Sequence, residues 1–400
     1  MKLLDRFLKY VQIDTMSDDK NDSQTPSTDK QWNLAKILES ELNELGLTNV
    51  HINKYCTVYA TLEANAKGFD SIGFLAHMDT IPEVSGTNVK PNVVKYEGKP
   101  IKLGTSGLTL SESEFSWMNK QIGHTLVTTD GTTVLGCDDK GGIAVIMTML
   151  DEIISKNLPH GEIHVAFTPD EEIGTGVLKF DVNEFPVKYA YTVDGGDYEE
   201  FSYETFNAAS AFVEFNGFDV HPGASKDQMI NASLLAMEFA SLLKVNERPE
   251  YTSGYEGFNH LTNMEGCVGH ASLSYIIRNH SEDLLKKQKL EFINAADFIN
   301  KKYPNSCKLT IKDSYRNMKD EIVKDMTCVN KALDAYKNAN INVKVVPTRG
   351  GTDGSRITFM GIKTPNLGTG GYNEHGVHEY ADMYQMEKMV SVCINIATTK

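Results

Sequence analysis

The stretch from His124 to Gly142, HTLVTTDGTTVLGCDDKGG, decides how this chain is to be read. Thr129-Asp130-Gly131 forms a turn and Val134-Leu135 is a short apolar pair. Gly136, Cys137, the adjacent acids Asp138-Asp139, Lys140 and a double glycine follow. The glycines open a helix whose Ile143, Ala144, Val145, Met147, Met149 and Leu150 predict burial on most sides. Two neighbouring carboxylates at a strand end are costly in a core, because a charge taken out of water needs a partner. They suit a site.

The same pattern recurs outward from this stretch. Ser71–Ala76 is a nearly continuous apolar run, predicted as a buried central strand, and delivers His77-Met78-Asp79-Thr80 to its end. With a period of two, His77 and Asp79 share a side, and a carboxylate beside an imidazole is how a metal-ligand histidine is oriented. Glu162–Thr168 ends in Pro169-Asp170-Glu171-Glu172-Ile173-Gly174, and Tyr189–Val193 ends at Asp194-Gly195-Gly196. Near the far end, RGGTDGS and TPNLGTGG lead into Asn373-Glu374-His375-Gly376-Val377-His378-Glu379. Any one of these alone reads most simply as a solvated turn. Together, four apolar segments end in His77 with Asp79, Asp138, Glu171 with Glu172, and Asp194. Open α/β sheets hold ligands at the carboxyl ends of their strands, so these side chains are expected to converge. Lys140 is the only neighbouring lysine, so the gathered carboxylates call for a divalent metal. Mixed histidine and carboxylate ligands without cysteine suit zinc, manganese or cobalt.

Composition narrows the function classes. A chain of 400 residues, 40% hydrophobic and 23% charged, has room for two domains and a large core. Its net charge of −15 repels phosphate backbones and anionic lipid, which argues against nucleic acid and membrane surfaces as partners. MKLLDRFLKYV at the start reads as an amphipathic helix rather than a signal peptide or a span. Six scattered cysteines with no CxxC fit reduced thiols in a cytoplasm. The polar run DTMSDDKNDSQTPSTDKQ is predicted as an exposed loop. A helix from about Gln31 to Gly46 and a strand pair in TNVHINKYCTVYATLEA follow it.

From about Asn207 to Ser314 the acid-tipped strands stop. The order there is strand (SAFVEFNG), helix (about 225–244), strands (about 258–279), helix (281–302) and strand (SCKLTIKD). That order predicts a small α+β unit with a four-stranded antiparallel sheet. It divides the chain into a discontinuous α/β domain, 1–206 with 315–400, and an insertion, 207–314.

HMDT (77–80), TTDGTTVLGCDDKGG (128–142), FTPDEEIGTG (167–176), TVDGG (192–196) and NEHGVHEY (373–380) resemble, in this order, the co-catalytic dinuclear zinc peptidases of the M20 family. The likeness covers nearly all the chain, including PEVSGTNVKP (82–91) and RGGTDGS (349–355). It implies a zinc-peptidase-like catalytic domain with a mixed central sheet flanked by helices. The insertion then serves as a lid and dimerisation domain, and the substrates are short peptides, with the amino-terminal residue removed from tripeptides. It further implies two zinc ions per chain bridged by Asp138. One would also hold His77 and Asp194 and the other Glu172 and His378, with Glu171 as general base and Asp79 orienting His77. A bridging carboxylate holding cations about 3.5–4 Å apart suits one shared water. His221 in DVHPGASK is implied to support the oxyanion, and Arg278 in SYIIRNH and Arg349 in TRGG to contact the substrate, fork-like guanidinium to carboxylate. The pattern departs at Cys137, where a small residue such as alanine is expected. A buried small side chain is the simpler account, and a third ligand type or a redox-sensitive thiol the sharper one. A dipeptidase or an N-acyl amino acid deacylase is the nearest rival within the fold. From another class, a non-catalytic, metal-stabilised scaffold is opposed by the complete ligand set and the intact Glu171.

Overall fold

A computed structural model describes all 400 residues, which form two compact units. The first comprises Met1–Tyr203, Asp320–Val346 and Thr352–Lys400; the second comprises Glu204–Lys319 with Pro347–Gly351. The boundaries expected at 206/207 and 314/315 fall instead at 203/204 and 319/320. Pro347–Gly351 joins the second unit because its backbone is bonded there: Thr348 N–H donates to Glu204 O (2.8 Å) and Phe206 N–H to Gly350 O (3.2 Å). No helix is long and apolar enough to cross a membrane.

The first unit is built on an eight-stranded mixed sheet. Its order is Thr48–Ile52, Val58–Leu62, Ile163–Thr168, Ile72–His77, Tyr189–Val193, Asn366–Leu367, Glu200–Ser202 and Lys344–Val345. The three strands Ile163–Thr168, Ile72–His77 and Tyr189–Val193 run parallel and are buried along their whole length, which explains their largely apolar sequences. Their carboxyl ends therefore reach one edge together; His77 pairs in register with Thr168. The Cys137–Ser155 helix packs across this sheet, between the Leu3–Val11 and Met383–Thr398 helices. It approaches so closely that a Cβ on Gly142 would stand 1.8 Å from the Val193 carbonyl oxygen, so only glycine fits.

A second sheet in this unit was not foreseen from the sequence. Gly371–Tyr372, Tyr380–Asp382, Thr125–Thr128 and Asn92–Lys95 pair antiparallel over a small core of Tyr96, Leu103, Leu110, Met118, Leu126 and Tyr380. Its strands are two to four residues long, too short for a period of two to register. This sheet ties the segment after residue 371 to the segment before Asp138.

The polar run at 14–31 departs from expectation. Thr15, Ser17, Pro26 and Ser27 are buried, and the hydroxyls of Ser17 and Ser27 find partners inside the unit rather than in water, on the Thr80 carbonyl oxygen and Asp170 Oδ1.

The second unit is a four-stranded antiparallel sheet, ordered Phe258–Gly266, His270–Asn279, Asn207–Asn216 and Cys307–Asp313. The helices Ala232–Leu242 and Glu282–Lys302 cover one face, with Phe215, Phe239, Leu273, Ile277 and Phe292 in the core between.

Candidate active site

Each acid-tipped strand end carries its side chain into one cluster. His77 is the last residue of its strand, Asp194 follows Val193 directly, and Glu171-Glu172 stand shortly after Thr168. Asp138 reaches the same place from the start of the long helix, where Gly136 at φ 78° turns the chain into it. His77 Nε2 lies 2.9 Å from Asp138 Oδ1 and 3.8 Å from Asp194 Oδ1. His375 Nε2 lies 3.2 Å from Asp138 Oδ2 and 3.1 Å from Glu172 Oε2. Two groups of ligand atoms result, His77–Asp138–Asp194 and Asp138–Glu172–His375, each with its atoms within 4.8 Å of one another, and Asp138 belongs to both.

His378 is not where the resemblance put it. Its ring lies 5.7 Å from that of Phe115, and His375, three residues earlier, occupies the second group. Asn373 and His375 both adopt left-handed φ angles, 58° and 62°. They coil the NEHGVHEY segment so that the two histidines diverge, and sequence spacing alone cannot show which one turns inward.

The remaining carboxylates hold the frame. Asp79, fully buried, meets His77 Nδ1 through its own carbonyl oxygen (3.1 Å) and through Oδ1 (3.4 Å). It also accepts from the backbone N–H groups of Glu171 (2.9 Å) and Glu172 (3.2 Å), so one residue fixes the imidazole and the Glu171-Glu172 backbone together. Asp139 accepts from the N–H of His77 (3.3 Å) and of Gly142 (3.2 Å) and belongs to neither ligand group. Glu379 is the residue that sequence reasoning missed. Its buried carboxylate accepts from the N–H groups of Leu135 (2.7 Å), Gly136 (2.8 Å) and Asp138 (3.1 Å), clamping the turn that presents Asp138. The signal available was an acid directly before the apolar Tyr380-Ala381. Lys140, the only lysine near the acidic pair in sequence, is buried and donates to the Ile13 carbonyl oxygen (2.7 Å); burial pushes its pKa down to about 8.

The electrostatics describe a site short of positive charge. Burial raises Glu171 and Asp194 well above the carboxylate range and lifts Glu172 to about 7. Burial also opposes the charge on Asp138, but hydrogen bonds from His375 and His77 outweigh it and hold that carboxyl below its usual value. His375, bonded to Asp138 and Glu172, is pushed up to about 11. The donor set fits divalent metal on chemistry as well as spacing, since it is all imidazole and carboxylate. Cys137 is fully buried and stands outside both ligand groups. Glu171 differs from its neighbours, because its carboxylate makes no hydrogen bond and no ion pair.

The three further residues singled out in the sequence lie in the second unit. His221 is exposed, and its Nδ1 accepts from Gly223 N–H (3.1 Å). Arg278 donates from Nη1 to the carbonyls of Ala209 and Ile277 (both 3.1 Å) and lies over the Tyr315 ring. Arg349 donates to the carbonyls of Gly254 and Glu256 (both 2.8 Å) and to Thr252 Oγ1 (2.9 Å), over the rings of Phe206 and Phe258.

Comparison with known proteins gives the chain its relatives. The model of peptidase family M20/M25/M40 matches residues 112–399. Peptidase T of Geobacillus sp. (strain WCH70) is 48% identical over 400 residues, covering 99% of this chain and 97% of the relative. Among solved structures, a tripeptidase from Staphylococcus aureus subsp. aureus Mu50 superposes with a TM-score of 0.80 at 21% identity, over 99% of this chain and 97% of that one. A dinuclear metal binding peptidase of the M20 family from Bacillus subtilis gives 0.64 at 12% identity, over 99% and 98%.

Proposed function

Because the chain belongs to peptidase family M20/M25/M40, we propose that it is a dinuclear zinc aminopeptidase that removes the amino-terminal residue from tripeptides. The observation that carries this reading is Asp138, a single carboxylate shared by two ligand groups beside an unbonded glutamate. His77, Asp138 and Asp194 would hold one ion, and Asp138, Glu172 and His375 the other. Bound there, zinc would supply Lewis-acid polarisation of the scissile carbonyl and lower the pKa of a water to about 7.

The chain's own residues do the rest. Glu171 takes the proton of the attacking water and returns it to the leaving amine; its raised affinity for a proton suits a group that must both accept and release one. Asp79 keeps His77 oriented through Nδ1 and keeps Glu171 beside Glu172 through their N–H groups. To the second unit we assign His221 as support for the oxyanion and Arg278 and Arg349 as contacts for the peptide carboxylate, on the strength of the resemblance. We also assign homodimerisation to that unit, whose Ala232–Leu242 helix exposes Leu234, Met237 and Leu242. A cytoplasmic location is in keeping with six unpaired cysteines.

The test is a panel of tripeptides, dipeptides and acetyl-amino acids, with metal quantified in the same sample. Release of the first residue from tripeptides, two zinc ions per chain and loss of activity with chelator are expected. Hydrolysis confined to dipeptides or acetyl-amino acids would move the chain to those reactions, and metal without any hydrolysis would make it a scaffold. The histidine assignment has its own check. His375→Ala should lower bound metal from two ions to one, whereas His378→Ala should leave both ions and most turnover; the reverse outcome would restore the role first given to His378.

A further inference from the structure

The Glu171-Glu172 turn is held by Asp79 on one hand and by Asp170 on the other, and the second attachment has no part in the site described above. Asp170 is fully buried and sits at φ 53°, a left-handed conformation uncommon for a residue with a side chain. All its polar groups are engaged. Its Oδ2 accepts from Ser27 N–H (2.7 Å), and its Oδ1 accepts from Ser27 Oγ (2.6 Å) and from Gln31 Nε2 (2.6 Å). Its own N–H donates to Gln31 Oε1 (3.2 Å), and its carbonyl accepts from Thr175 and Gly176 N–H (both 3.0 Å). Ser27 and Gln31 are themselves buried. The same segment reaches the other turn of the site. Ser17 donates to the Thr80 carbonyl oxygen from both N and Oγ (each 3.0 Å), one residue past Asp79, and Thr28 Oγ1 donates to Met16 O (2.8 Å).

We propose that Ser27 and Gln31 are positioning residues for the general base, acting through the buried carboxylate of Asp170, so that residues 14–31 work as a strap behind the catalytic turns. The inference rests on the peptidase reading above and gives that reading a part distant in sequence. A buried carboxylate without these donors would be left unpaired at high cost, and the φ of Asp170 would lose the side-chain bonds that help to enforce it. The residue that would then drift is Glu171, whose side chain has no bond of its own to hold it. Neither Ser27 nor Gln31 hydrogen-bonds to a ligand residue, so metal capture and substrate affinity are expected not to depend on them.

The experiment reverses the polarity of the pair. In Gln31→Glu two carboxylates face each other, and kcat on a tripeptide should fall on the order of ten- to a hundred-fold, as expected when a reacting group is displaced by a fraction of an ångström to about 1 Å. KM and the two bound ions should stay near wild type. Asp170→Asn should behave alike. In the double variant Gln31→Glu/Asp170→Asn, the amide introduced at position 170 can donate to the carboxylate introduced at position 31. Its oxygen still accepts from Ser27 N–H, so most of the lost kcat should return. Ser27→Ala, which removes one bond only, should show the same split in milder form. Amide hydrogen exchange over residues 170–176 gives a readout that needs no activity: faster in each single variant, restored in the double. Wild-type kcat in Gln31→Glu, a double variant no better than the singles, or kcat loss that merely tracks lost metal and lowered Tm overturns the inference. If the wild-type chain cleaves no tripeptide, the functional reading falls by itself, and unchanged exchange in Gln31→Glu would then sink the strap as well.

Discussion

Glu171→Gln should keep two metal ions, keep KM near wild type and lose about 10²–10⁴-fold in kcat, the range that a positioned proton-transfer group contributes. The amide has the carboxylate's shape but cannot take a proton from water. Nothing in the frame depends on the Glu171 side chain, since Asp79 holds this residue by its backbone N–H. The variant therefore separates chemistry from assembly. Metal analysis and steady-state kinetics on one preparation decide it, and turnover close to wild type would remove Glu171 from the reaction. The matching change at its neighbour, Glu172→Gln, should behave differently, losing an ion, because that side chain stands in a ligand group.

Asp138→Ala should be more damaging still. Both ligand groups pass through this one carboxylate, so its removal leaves His77 with Asp194 on one side and Glu172 with His375 on the other. Two donors hold a divalent ion far less firmly than three, and the loss strikes both sites at once. Bound metal should fall from two ions to near none after dialysis, with activity below that of Glu171→Gln. Asp194→Ala, by contrast, should cost one site only. Two ions retained in Asp138→Ala would rule out a shared ligand, and with it the geometry on which the mechanism stands.

The parts of this site that could be read from the sequence are those in which local chemistry contradicts local environment. An acid at or just past the end of a largely apolar run, as at Asp194 or Glu171, declares itself because the strand is buried and a charge there needs a reason. The four-stranded sheet of the second unit was legible for the related reason that its strands are long, seven to ten residues. What stayed hidden depends on partners far along the chain. Ser27 and Gln31 are ordinary loop and helix-start residues until Asp170 meets them, some 140 positions later. Glu379 reads as one more surface acid until three N–H groups of the 135–138 turn point at it. His375 and His378 cannot be ranked by spacing, since the left-handed angles at Asn373 and His375 obey neither a helical nor a strand period.

The clamp made by Glu379 bears on how the molecule comes into being. On a ribosome, His77, Asp138 and Asp194 have all emerged some 180 residues before His375 does, and the Glu379 carboxylate that steadies the Asp138 turn arrives later again. The residues of one ligand group are thus all synthesised well ahead of those of the other. Both groups still wait for the final stretch of polypeptide, one for His375 itself and the other for the carboxylate that steadies Asp138, so termination before residue 375 should yield a product that never assembles both cation sites.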